Sequence, residues 1–145
     1  MSIDYYIFNF NGSLPSSEIL DAPGYTPPPL GDIKTVQEKM ARYSPEIEWS
    51  RDDPFVGYVI DQGYLIEFNI SPDDKGMVQC IGVHPNGIAE AEAVMRKFCI
   101  PNEWYVFDPQ SGEWIHPTRL GQWNTGKPRH KTLYDQPDSP MVEGV

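Results

Sequence analysis

Four segments typical of β-strands follow one another in the middle of the chain, and the links between them are short. The link at 61–63 is short enough for a tight hairpin, and the link at 71–76 is built from the usual turn residues. Such links join antiparallel strands, because a parallel crossover needs about a dozen residues or more. The sequence therefore predicts an antiparallel meander. Its strands are residues 46–49, 55–60, 64–70 and 77–84. Alternation along 64–70 predicts that Tyr64, Ile66, Phe68 and Ile70 point to the core, and that the opposite face carries Leu65, Glu67 and Asn69.

Two helices and three further strands complete the predicted fold. Asp32 is a candidate N-cap for a helix over 33–43, and residues 87–99 carry a second apolar stripe at helical spacing. We expect an α+β domain over residues 1–117, with a mostly antiparallel sheet of about six strands and both helices packed on one face. The predicted element order is β-α-β-β-β-β-α-β-β, and residues 118–145 are predicted to form an extended tail. The further strands are residues 3–10, 103–108 and 113–115.

The charge of the chain narrows the function classes. Its 145 residues carry a net charge of −10 at pH 7. This charge argues against nucleic-acid binding and against binding to anionic membranes, since both need basic patches. The N-terminal sequence has no basic segment typical of a signal peptide, and no apolar run reaches the roughly 20 residues of a membrane span. We expect a cytoplasmic protein with reduced thiols.

Residues with reactive side chains do not form a recognisable catalytic or metal-binding pattern in the sequence. Cys80 and His84 are predicted on one strand, where four residues span about 13 Å, beyond the hydrogen-bond distance that a thiolate–imidazole pair needs. Cys99 lies on the apolar stripe of the second helix and is expected in the core. Three histidines without CxxC or HxxxH spacing do not suggest a metal site. We therefore expect no catalytic residue, no metal and no cofactor.

Acidic residues are concentrated in the meander. Between residues 44 and 74 the chain has eight acids, and Arg51 is the single base. Aromatic residues are interleaved with these acids, which is typical of protein interfaces. An acidic face of this kind would attract a basic partner and raise its association rate. The alternative is that the charge serves only the solubility of the protein. The predicted partner-binding residues are Trp49, Asp52, Asp53, Tyr58, Asp61, Glu67, Asp73 and Asp74.

The layout of the chain resembles that of a group of bacterial proteins. An aromatic opening strand, DYYIFNF, precedes a helix; the strands YLIEFNI and VQCIGVHPNG lead into the helix AEAEAVMRKFC, and EWYVFDPQSGEWI follows. Over residues 1–116 this order is similar to the small bacterial immunity proteins encoded beside polymorphic, contact-dependent or type VI secreted toxins. The resemblance implies a non-enzymatic inhibitor that binds one cognate toxin. The acidic meander would suit a toxin with a basic substrate cleft, such as a nuclease.

Two other functions remain open from the sequence. One is a small enzyme or ligand-binding domain with a pocket near Cys80, His84 and Trp104. The other is an adaptor that uses the proline-rich loop at 15–29. A deep pocket lined by His84 would favour the enzyme, and a flat or convex acidic sheet face would favour the inhibitor. The sequence does not indicate an oligomeric state.

Overall fold

The computed structural model describes residues 4–61 and 63–121. Its elements are β1 (Tyr5–Asn9), α1 (Ser17–Leu20), β2 (Gly31–Asp32), α2 (Ile33–Tyr43), β3 (Glu48–Trp49), β4 (Val56–Asp61), β5 (Tyr64–Asn69), β6 (Met77–Val78), β7 (Ile81–Asn86), α3 (Ile88–Asn102), β8 (Trp104–Asp108), β9 (Glu113–Ile115) and a 3₁₀ turn, Pro117–Arg119.

Seven of these strands form one sheet in the order β3-β4-β5-β7-β1-β8-β9, in which all neighbours are antiparallel. The strands β2 and β6 pair in a separate ribbon. The predicted α+β class with a mostly antiparallel sheet is thus confirmed.

Alternation along the strands creates one covered face and one open face of the sheet. The buried side chains of β5 are Ile66 and Phe68, both fully inaccessible, while Leu65 and Glu67 point to the opposite side. Buried residues of α2 and α3, such as Met40 and Phe98, join those of the sheet in one hydrophobic cluster. The two long helices therefore cover one face. We call the other side the open face.

The first long helix begins where the sequence predicts. The carboxylate of Asp32 accepts a 2.8 Å hydrogen bond from the backbone N–H of Thr35, so Asp32 is its N-cap. Val36 and Met40, one turn apart, are fully buried. The additional helix α1 is a single turn with no buried residue, capped by Ser16. The chain thus has one short helix more than expected among the described residues.

The segment at 77–84 is two strands and not the one that was predicted. Val78 pairs with Gly31 in the small ribbon, whereas Ile81 pairs with Ile7 of the main sheet. The two ends of the segment have different partners, so the ladder breaks at residues 79–80. Cys80 consequently lies before β7 and does not share a strand with His84.

The helix α3 extends past its predicted end and buries an acidic residue. It continues three residues past Cys99, where Asn102 donates from its side chain to the carbonyl of Phe98 at 2.8 Å and closes the last turn. Glu92 of this helix is fully buried. Its carboxylate accepts hydrogen bonds from the hydroxyl of Tyr5 at 3.0 Å and from the backbone N–H of Gly121 at 2.9 Å. These partners explain how an acid lies inside the core.

Packed structure continues beyond the domain end expected at residue 117. Leu120 is fully buried, and Arg96 of α3 donates to the carbonyls of Thr118 and Leu120 at 2.7 and 2.9 Å. The remaining part of the predicted tail, 122–145, lies outside the described residues. Within the described chain, no helix combines the length and the apolar character that crossing a membrane requires.

Candidate functional site

The open face carries an acidic row that crosses four strands. Glu48 lies opposite Tyr58, Tyr58 opposite Glu67, and Glu67 opposite His84. Directly opposed residues of antiparallel strands point to the same face, so these side chains are neighbours across β3, β4, β5 and β7. Glu48 and His84 are exposed, and Tyr58 and Glu67 are half-buried. We call Glu48, Tyr58 and Glu67 the acidic row. It has one carboxylate on each side of the tyrosine, and His84 lies at its end.

An exposed apolar pair lies beside this acidic row. Ile60 is opposite Leu65, one alternation further along β4 and β5 than Tyr58 and Glu67. The accessible fractions of Ile60 and Leu65 are 70% and 38%. Ile60 has the largest value among the exposed large apolar side chains of the described residues. Exposed apolar side chains surrounded by charged ones are a common feature of binding surfaces.

His84 and Asp4 lie at the centre of the open face. The Nδ1 atom of His84 is 2.8 Å from a carboxylate oxygen of Asp4, and both side chains remain partly accessible. A carboxylate in contact with one ring nitrogen fixes the orientation of the imidazole. The pair connects the acidic row to the strands β1, β8 and β9.

The other half of the open face is aromatic. Tyr6 lies opposite Phe107, and Phe107 opposite Trp114, while Phe8 lies opposite Tyr105. The ring centroids of Trp114 and Phe107 are 4.7 Å apart, and those of Trp114 and Phe8 are 5.4 Å apart. These five rings are half-buried by one another rather than by a helix. We call them the aromatic half of the open face.

The structure brings together two of the eight predicted binding residues and separates Trp49 from them. Tyr58 and Glu67 are neighbours in the acidic row. Trp49 points to the covered side, where its ring lies against Gly57 and packs on the core. Trp49 therefore contributes to packing of the sheet edge.

Asp61 and Asp73 have local partners. Asp61 ends β4 on the covered side and accepts a 3.4 Å hydrogen bond from the hydroxyl of Tyr64. The carboxylate of Asp73 accepts from the backbone N–H groups of Lys75 and Met77 at 2.8 and 3.0 Å, and from the side chain of Gln79 at 3.0 Å. These bonds, that of Met77 first, hold the pKa of Asp73 below its usual value. Asp73 thus organises its turn.

The three remaining predicted residues are exposed on two loops at one end of the sheet. Asp52 and Asp53 belong to the loop before β4, and Asp74 belongs to the turn after β5. The two loops leave the same end, because the N–H of Ile70 donates to the carbonyl of Phe55 at 2.8 Å. The eight residues therefore form several groups rather than one cluster, and their role in binding stays a prediction.

Two residues of the alternative pocket, His84 and Trp104, lie on opposite faces of the sheet. Trp104 is 2% accessible on the covered side, whereas His84 is on the open face. Burial raises the pKa of the Cys80 thiol and raises that of Cys99 further, which disfavours the nucleophilic thiolate. Residues 4–61 and 63–121 include no cluster of three or more His, Cys, Asp or Glu residues able to hold a metal ion.

The proline-rich loop is attached to the domain. The side chain of Asn9 donates to the carbonyl of Pro29 at 3.0 Å, and the N–H of Leu30 donates to the carbonyl of Val78 at 2.8 Å. The three consecutive prolines at 27–29 are half-buried. These contacts make the end of the loop a connector between β1 and the β2–β6 ribbon.

Sequence reasoning did not select Glu48, Ile60 and Leu65 as site residues. The hairpin at 61–63 contained the necessary signal: once its register is set, Ile60 must face Leu65, and alternation already assigned Leu65 to the side away from the core.

Comparison of the chain with protein-family models, with curated proteins and with solved structures found no match.

Proposed function

We propose that this protein is a non-enzymatic inhibitor of the immunity type, which binds a basic toxin through the open face of its sheet and occludes it. The observation that carries the proposal is the exposed pair Ile60 and Leu65 next to the acidic row of Glu48, Tyr58 and Glu67. Apolar contact would supply affinity there, and the carboxylates would steer a cationic partner and set its orientation.

The dimensions of the open face suit such a partner. The sheet has six strand spacings and strands of two to six residues, so its face is about 29 Å wide and at most about 20 Å long, on the order of 500 Å². A stable protein complex buries about 800 Å² per partner, so a partner would contact the adjoining loops as well as this face. The loops with Asp52, Asp53 and Asp74 would lie at one edge of the contact and extend its negative charge.

The immunity function predicts that a gene beside the one for this chain encodes a toxin domain, and the test uses that domain. Co-expression should protect cells from that domain, and the purified pair should bind with an association rate that falls as salt is added. Glu48→Lys should weaken binding at least about tenfold, the usual size of a substantial interface effect. Glu38→Lys is the matched control, because Glu38 is also exposed but lies on α2.

A second matched pair tests the apolar contact. Ile60→Ala should weaken binding by about tenfold or more, whereas Ile19→Ala, which alters a 50% accessible isoleucine on α1, should not. Equal binding by Glu48→Lys and Glu38→Lys, together with equal binding by the two isoleucine variants, would refute binding through the open face. A neighbouring toxin domain that this chain neither binds nor inhibits would refute the immunity function.

A further inference from the structure

We infer that the cleft between Glu103, Tyr105 and His116 receives an arginine side chain of the partner protein. The inference rests on the proposed function for the identity of the partner as a basic protein, and it deepens that proposal by naming a contact. The cleft adjoins the aromatic half of the open face, since Tyr105 belongs to both.

The size of the cleft suits one side chain. Its volume is about 220 Å³, and its walls include Gly12, Ile100 and Pro117 in addition to the three polar residues. Pockets for drug-sized molecules have volumes of roughly 300–1,000 Å³, so this cleft is small for a metabolite. A side chain that projects from a protein docked on the open face would fill it.

Two rings of the cleft provide surfaces for a planar cation. Tyr105 and His116 meet edge to face, with centroids 5.2 Å apart and planes at 87°. The Nδ1 atom of His116 accepts from the backbone N–H of Thr118 at 3.2 Å, which fixes the orientation of the ring. A guanidinium group stacks on aromatic faces and is more weakly hydrated than an ammonium group, so arginine fits this wall better than lysine.

Glu103 supplies the negative charge of the cleft. No hydrogen bond or ion pair reaches its carboxylate from residues 4–61 and 63–121, and the side chain is exposed. The carboxylate lies over Gly12, with Oε1 only 3.1 Å from the position that a β-carbon would take there. A carboxylate in this position offers the bidentate contact that guanidinium groups form.

The backbone of Glu103 is strained. Glu103 follows α3 with φ 58° and ψ 41°, and its N–H bonds to the carbonyls of Cys99 and Ile100. Glycine is the common residue at this left-handed position, because a side chain costs free energy there. A glutamate that is unfavourable for the helix end but points into a cleft is consistent with a binding role.

The experiment titrates the full-length protein with N-acetyl-arginine amide and follows its backbone amide and aromatic NMR signals at constant pH and ionic strength. We expect signals of Gly12, Tyr105 and His116 to shift, with a dissociation constant on the order of millimolar for so small a ligand. The control ligand is N-acetyl-citrulline amide, which has nearly the same shape without the charge. It should bind at least about tenfold more weakly.

Two variants separate recognition from helix capping. Glu103→Gln should abolish the arginine shifts, and Glu103→Gly should also abolish them while leaving the thermal midpoint equal to or above that of the parent. The inference is overturned if citrulline amide binds as well as arginine amide, if Glu103→Gly retains arginine binding, or if no shifts occur near the cleft. None of these results depends on the toxin, so the cleft can fail while the Glu48 and Ile60 tests succeed.

Discussion

The hydroxyl of Tyr5 donates a 3.0 Å hydrogen bond to a carboxylate oxygen of Glu92, 87 residues away in the chain, and both side chains are fully buried. The bond connects β1, an inner strand of the sheet, to α3 within the core. A buried carboxylate is stabilised by such donors and is costly when they are removed.

Tyr5→Phe is therefore expected to lower the free energy of unfolding by about 1–3 kcal/mol, because the ring stays in place while the Glu92 carboxylate loses a donor. Urea denaturation measures this change. Tyr6→Phe is the control, since Tyr6 is half-buried on the open face and should change stability by less than about 0.5 kcal/mol. Equal effects of the two variants would show that the hydrogen bond contributes little.

Gly57 leaves room for an aromatic ring at the edge of the sheet. A β-carbon at Gly57 would lie 2.8 Å from ring atoms of Trp49 and 2.9 Å from a methyl group of Ile47. We expect Gly57→Ala to destabilise the protein by about 1–3 kcal/mol, and Trp49→Val in the same chain to recover part of this loss. Chemical denaturation of the single and double variants tests the coupling.

Gly82→Ala is the matched control for that prediction. Gly82 also lies in a strand, but a β-carbon there would have no neighbour closer than 3.8 Å. The substitution should leave stability within about 1 kcal/mol of the parent, with a gain expected from the reduced entropy of the unfolded chain. A loss at Gly82 as large as that at Gly57 would contradict the assignment of the effect to the Trp49 ring.

Asp73 should contribute to the acid sensitivity of the fold. Its pKa is lower in the folded protein than the ordinary value of 3.8, so the carboxylate stabilises the fold at neutral pH. This contribution is present above the ordinary pKa of about 4. It is lost as the pH falls from there through the lowered pKa of the folded protein. Asp73→Asn should lower the thermal midpoint at pH 7 and flatten its decline on acidification.

The neighbouring aspartate provides the control for Asp73. Asp74 is exposed, and no hydrogen bond from a described residue reaches its carboxylate. Thermal melts of Asp74→Asn between pH 7 and pH 2.5 should follow the parent curve. If both variants flatten the decline of the thermal midpoint at low pH equally, the hydrogen bonds of Asp73 are not the cause of the effect.

The two thiols should differ in reactivity in the native state. Burial raises the pKa of Cys80 and raises that of Cys99 further, so the reactive thiolate is scarcer than for a free cysteine. With Ellman's reagent at pH 8, Cys80 should react slowly. In Cys80→Ser, Cys99 should react only as fast as the protein unfolds. In the parent protein, denaturant should make both thiols react rapidly. Rapid native labelling of Cys99 would contradict its burial.

Local patterns predicted the elements for which local physics is sufficient. The N-cap at Asp32 and the alternation of Ile66 and Phe68 with Leu65 and Glu67 are encoded in a few adjacent residues, and both are confirmed. The break at residues 79–80 was not predictable in this way. It arises because Val78 pairs with Gly31 of β2, whereas Ile81 pairs with Ile7 of β1. Both partners are distant in sequence from residues 79–80.

The candidate site shows the same division. The sequence located the acidic meander and assigned Leu65 and Glu67 to the side away from the core. It did not reveal that Trp49 would turn toward the covered side, or that Asp73 would be held by its own turn. The orientation of Trp49 depends on its pairing with β4, which no local pattern specifies. The bonds of Asp73, in contrast, lie within one turn, and turn chemistry could have indicated them.

The sequence by itself determined the α+β class, the antiparallel meander and the negative charge of the chain, because strand alternation, turn chemistry and ionisable groups are local properties. Only the tertiary structure decided that β1 lies between β7 and β8, that Glu92 is buried against Tyr5, and that Glu103 faces a cleft beside the aromatic half. Those relationships depend on contacts between distant segments, whose free energies are realised when the whole core packs together.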